Sequence, residues 1–147
     1  MNPHREIIRD ALAEVRAVYE ALARRPLPRQ CEARTECCQF RLTGRTPQLT
    51  QGEALLAAQA FRATGRKTLP ENQEGICPLL KPETGRCLIY PGRPFGCRTH
   101  FCAAAGGPHP RKQVIDLIRR LEIVDEKLGG DGPRAITAAL DDALRKM

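Results

Sequence analysis

The sequence predicts a mainly α-helical fold: a small helical domain of about four helices with irregular cysteine-rich loops and one short β-hairpin among them. Three observations carry that expectation. Apolar residues recur three or four apart near both ends of the chain, as one face of an amphipathic helix requires. Between those segments, residues 30–46 and 71–110 are rich in Cys, Gly, Pro and Arg. All seven cysteines fall in these two stretches, outside the interior of every predicted helix.

The first helix is predicted over residues 4–25, with Ile8, Leu12, Val15, Tyr19 and Leu22 along one face. Pro26 and Pro28 stop it, because a helix interior needs the N–H that proline lacks. The second opens at Thr50-Gln51-Gly52-Glu53, a capping box in which the hydroxyl and the carboxylate each reach the other's backbone amide. It runs to about Ala63 and ends at Gly65. A third begins near Pro110 and stops before Gly129-Gly130, with Val114, Leu117, Leu121, Val124 and Leu128 on its buried side. Pro133 opens the fourth, with Ile136, Leu140 and Leu144 facing inward, so the last two helices form a hairpin. These stripes read as core rather than as partner-binding surface. Phe40-Arg41-Leu42 and Cys87-Leu88-Ile89-Tyr90 read as short strands that pair with each other. Such a ribbon is marginal alone and needs packing or a bound ion to hold it.

A chain of 147 residues is expected to form one domain over residues 1–147. Within it, residues 31–102 form a cysteine-cluster segment framed by the N-terminal helix and the C-terminal hairpin. The core is aliphatic, since there is no Trp and tyrosine occurs only at Tyr19 and Tyr90. No apolar run approaches the ~20 residues of a membrane span, and the charged N-terminus has no signal-peptide core. The expected location is the cytoplasm, which keeps thiols reduced. The formal charge of +7 counts every thiol as neutral. Four thiolates around zinc or a [4Fe–4S] core contribute about −2 and leave roughly +5. The basic residues are spread along the whole chain and aromatics are few, so nucleic acid is not the expected partner.

An odd number of cysteines does not fit a closed disulfide framework, and their clustering points to metal. Irregular backbone lets several thiolates converge and leaves amides to hydrogen-bond sulfur. The prolines of Cys77-Pro78 and of Pro91-Gly92-Arg93-Pro94-Phe95-Gly96-Cys97 reduce the entropy lost in gathering ligands. Arg93 and Arg98 flank Cys97 and favour its thiolate, the form that binds metal. There is no pair of CxxC knuckles, so spacing leaves zinc and iron both open. Neighbouring Cys37 and Cys38 point to opposite faces of extended backbone. Either one is a ligand while the other packs, or they serve two metals of a larger site. His100 reads as a hydrogen-bonding neighbour rather than a ligand, and His4 and His109 as incidental. Gly65-Arg66-Lys67-Thr68 lacks the order of a phosphate loop. A nucleophile made of Cys97 or Cys102 with His100 has no third group to orient it.

Taken together, Cys31-x-x-Arg34-x-x-Cys37-Cys38, Cys77-Pro78-Leu79-Leu80 and Cys87-Leu88-Ile89-Tyr90-x-x-Arg93-Pro94-x-x-Cys97-Arg98 resemble the YkgJ-like, zinc- or iron-chelating cysteine-cluster family, named for its CxxCxxCC signature. The resemblance covers residues 31–102. Arg34 stands where the signature has its second cysteine. What the resemblance implies is a site drawn from Cys31, Cys37, Cys38, Cys77, Cys87 and Cys97, with Cys102 just beyond the matched stretch. The expected ligands are Cys38, Cys77, Cys87 and Cys97, then Cys37, Cys31 and Cys102, around zinc or an iron–sulfur cluster. The function expected first is non-enzymatic metal binding, with a metal ion as partner, a protein as a candidate partner and no membrane. Two further readings stay open. One is an iron–sulfur enzyme or redox component, methyltransferase-like by analogy with related clusters linked to flagellin lysine methylation, although no S-adenosylmethionine loop is recognisable. The other is a zinc-stapled adaptor for nucleic acid or protein.

Overall fold

The computed structural model describes residues 2–25, 46–69, 76–81, 86–99 and 110–146. Helix α1 spans Pro3–Ala23, and its first turn is closed by the Asn2 side chain, which accepts from the His4 N–H at 3.0 Å. Strand β1 (Gln48–Leu49) leads into α2 (Gln51–Ala63). Then come β2 (Leu80–Lys81), β3 (Arg86–Cys87) and the short helix α3 (Phe95–Thr99). Helix α4 (Ile115–Lys127), β4 (Arg134–Ala135) and α5 (Ile136–Arg145) complete the described order. The class is mainly helical, as predicted, with the four long helices in the predicted places.

Helix α2 lies at the centre, packed on α5 to one side and on α1 and α4 to the other. Its composition makes that possible. Ala57, Ala58 and Phe61 join Leu49, Leu79, Ile136 and Leu140 in one apolar cluster. Leu56 joins Leu12, Val15, Val18, Leu117 and Leu121 in the other. At Gly52 the backbone approaches closely: a Cβ there would stand 2.8 Å from Val124 Cγ1 and 2.9 Å from Val15 Cγ2. Helices α1 and α4 run antiparallel, with ion pairs from Glu14 to Arg120 and from Arg25 to Asp116.

Asp125, buried on α4, accepts from the Gln51 N–H at 2.7 Å and from the Gly132 N–H at 2.9 Å. It therefore satisfies an otherwise orphan donor at the start of α2 and fixes the turn after α4.

The structure departs from expectation at several boundaries. Pro110 is extended, and Arg111–Gln113 make a 3₁₀ turn before α4 begins at Ile115. The fourth helix opens at Ile136, not Pro133, because Arg134–Ala135 pair antiparallel with Gln48–Leu49. The predicted strand at 87–90 keeps only Cys87, and its partner is Leu80–Lys81. Tyr90–Gly92 turns into 3₁₀ helix at Pro91. The other expected strand, residues 40–42, lies outside the described residues. Finally, Cys97 sits within α3, a short helix that is not among the predicted ones. Helix α3 is too short to give a periodic signal and is held at its start by a distant side chain.

Candidate metal centre

The best-defined part of the cysteine-bearing region is built around Cys97. Buried Pro94 precedes α3, and its carbonyl accepts from the N–H groups of both Cys97 and Arg98 at 3.1 Å. The first amide of the helix, that of Phe95, donates to Glu53 Oε1 at 2.7 Å. That carboxylate is 3% exposed. It also accepts from the Tyr19 hydroxyl at 3.2 Å, the Thr50 N–H at 3.0 Å and the Thr50 hydroxyl at 2.9 Å. One side chain thus caps its own helix and the helix that carries Cys97. Burial raises the Glu53 pKa, opposed by the hydrogen bonds from Thr50, Phe95 and Tyr19. Tyr19 is pushed far up by burial first and by the neighbouring Glu53 charge second.

The two arginines of the motif have defined work. Arg98 lies over the Tyr19 ring, 4.2 Å from its centroid, a cation–π distance. Its Nε donates to the Arg93 carbonyl at 2.6 Å and its terminal nitrogen to the Pro91 carbonyl at 2.7 Å. Burial lowers its pKa, while the charges of Tyr19, Cys97 and Glu53 work the other way. Arg93 covers the Tyr90 ring at 3.8 Å and donates to the Tyr90 carbonyl at 3.0 Å. Both arginines staple the loop before Cys97, and Arg98 adds an electrostatic interaction with the thiol itself.

Cys77 is buried in the apolar cluster that contains Leu79, Ile89 and Phe61. Cys87 is half-buried, faces Leu80 across the β2–β3 ladder and packs on the same cluster. Cys97 is half-buried on α3. All three stand as thiols rather than disulfides. Among the described residues no group of three or more Cys, His, Asp or Glu is gathered to hold a metal. Cys31, Cys37, Cys38, Cys102 and His100 lie outside the described residues.

The described ends of the intervening segments are nevertheless informative. The chain that carries Cys31, Cys37 and Cys38 re-enters at Thr46–Pro47, and a Cβ on Gly96 would stand 3.9 Å from Pro47 Cβ. That return is therefore beside the residue preceding Cys97. Cys102 follows the end of α3 by three residues. Near α4, Arg25 donates to the Gln113 carbonyl at 2.6 Å and pairs with Asp116, tying the exit of α1 to the entry of α4. Thiols with a guanidinium neighbour are soft donors suited to zinc or iron.

The link from Glu53 and Tyr19 to the helix that carries Cys97 has no signature in the sequence. Glu53 was legible as a capping residue and Tyr19 as part of an apolar stripe, but nothing local linked either to Cys97.

These features define a helical protein with Cys77 and Cys87 packed into its frame and Cys97 on a short helix held against it. The chain belongs to the CxxCxxCC family, described as a "putative zinc- or iron-chelating domain", whose model matches residues 30–118. The match takes in all seven cysteines and runs into α4. No curated protein and no solved structure matches the chain. Among the described residues no helix is long and apolar enough to cross a membrane.

Proposed function

We propose that the protein binds metal without acting as an enzyme, holding zinc or an iron–sulfur cluster through Cys38, Cys77, Cys87 and Cys97. Cys37, Cys31 and Cys102 are the next donors. The observation that carries this reading is the position of Cys97. It is half-buried, beside Arg98, on a helix next to the return of the segment bearing Cys31, Cys37 and Cys38. The described cysteines do not gather three donors by themselves, so this reading requires Cys77, Cys87 and Cys97 to be drawn together, with a further thiolate from residues 31–38 or from Cys102, when metal binds. A closed four-thiolate zinc site contributes folding energy, whereas a cluster carries electrons. The reducing cytoplasm is the compartment this reading requires.

The test is elemental analysis of purified Cys87→Ser and Cys97→Ser proteins beside the unaltered chain. Loss of metal in both supports the ligand assignment. Full retention in both overturns it.

A further inference from the structure

We propose that Glu53, supported by Tyr19, is the positioning residue of the metal-binding segment, fixing the start of the helix that carries Cys97. This rests on the reading of Cys97 as a ligand. The carboxylate joins three separate parts of the chain: Tyr19 on α1, Thr50 before α2 and Phe95 at the head of α3. Cys97 lies two residues beyond Phe95 in a helix of only five residues. Such a short helix has little stability of its own, so its orientation is set by what holds its ends. The head is held by Glu53. The tail side is held by Arg98, whose guanidinium rests on the ring of the same Tyr19 that donates to Glu53.

The chemistry selects a carboxylate here. Every group facing Glu53 can donate: two backbone N–H groups and two hydroxyls. Its two oxygens divide them: Oε1 accepts from Phe95 and Tyr19, and Oε2 accepts from both Thr50 groups. The amide of glutamine keeps one acceptor oxygen for Phe95 and Tyr19 but turns an NH₂ toward the Thr50 N–H, which cannot accept. Neutral packing would not need this arrangement. A buried acid bonded to a cysteine-bearing loop acts as an outer support does in metal sites, where loss of the support weakens binding about 10- to 100-fold.

The test uses Co²⁺ as the probe, added anaerobically to the full chain freed of metal. Its thiolate absorption and its affinity, by chelator competition, are read on the unaltered protein and on Glu53→Gln, Tyr19→Phe and Cys97→Ser. Far-UV circular dichroism establishes that each variant is folded. A role confined to stability would leave the spectrum and affinity of the folded protein unmoved. The proposal predicts affinity about 10-fold weaker and a shifted Co²⁺ spectrum in Glu53→Gln, with a smaller change of the same sign in Tyr19→Phe. Unaltered binding in both, with binding impaired in Cys97→Ser, overturns the positioning role and leaves Cys97 as a ligand. Unaltered binding in Cys97→Ser overturns the ligand reading, and the positioning role falls with it. Should Glu53→Gln fail to fold, Tyr19→Phe decides, since it removes one hydroxyl and keeps the ring beneath Arg98; unaltered Co²⁺ binding there overturns the proposal.

Discussion

Glu53 concentrates several consequences in one side chain. Its pKa in the folded protein is raised by burial above the ordinary value of 4.5. The native state therefore holds the proton more tightly than the unfolded chain does. The stability contributed by that proton is fully present below the ordinary glutamate value and is lost as pH rises through the folded one. Asp116 and Asp142 act in the opposite sense. Their pKa values are depressed by hydrogen bonds from Arg25 and Lys146, so their contributions are lost on acidification. Both are exposed, and such pairs add little. We predict that metal-free protein shows a fall in urea midpoint above about pH 4.5, and that Glu53→Gln removes this fall. Parallel pH profiles for the two proteins would contradict the assignment. Gly52 makes a second residue-scale case. Its substitution by Ala drives a methyl against Val15 and Val124, and should cost about 1–3 kcal/mol. Urea unfolding checks it, and an unchanged midpoint would mean that the helices part without penalty.

At the scale of elements, α2 is fixed at its N-terminus by two acids from different places. Glu53 reaches back from inside the helix and Asp125 reaches across from α4. Asp125→Ala leaves the part-buried Gln51 and Gly132 amides without their acceptor, at about 1 kcal/mol, the low end for an unsatisfied donor that water partly reaches. It should also speed hydrogen exchange in β4, whose approach turn loses its anchor at Gly132. Unchanged exchange at Arg134 and Ala135 would show that β1 alone holds that strand. The same elements explain what the sequence could and could not disclose. Leu117, Leu121 and Val124, or Ile136, Leu140 and Leu144, repeat with the helical period and so locate α4 and α5. Strand β4 is two residues long and has no alternation to read. Helix α3 depends on a carboxylate 42 residues away in sequence. Pro110 and Pro133 suited a helix start locally, but a 3₁₀ turn and a strand pairing displaced both starts toward the C-terminus.

Across the whole molecule, α2 is shared by two apolar clusters, so loosening one side reaches the other. Leu140 on α5 is fully buried in the cluster it shares with α2, and Leu140→Ala should cost about 2–5 kcal/mol. Because Cys77 and Cys87 pack against the same cluster, that variant should also bind metal less tightly. Thermal melts with and without metal measure both effects, and an unchanged metal-induced stabilisation would separate the site from this core.

The candidate site was legible only as a set of residue types: clustering of cysteines at residues 31–38 and 77–102 points to metal chemistry, as the family match does. The surroundings of each cysteine were not legible, because spacing in sequence does not tell that Cys77 enters the aliphatic cluster or that Cys97 stands near Tyr19 of α1.

The most direct test of the central claim is the metal content of the full chain purified without oxygen, with a visible spectrum of the same sample. Bound metal in simple proportion to the chain is expected: zinc with a colourless solution, or iron and sulfide with the broad absorption of a thiolate-ligated cluster. Protein that is folded and carries neither metal, and that takes up neither when supplied, would contradict it.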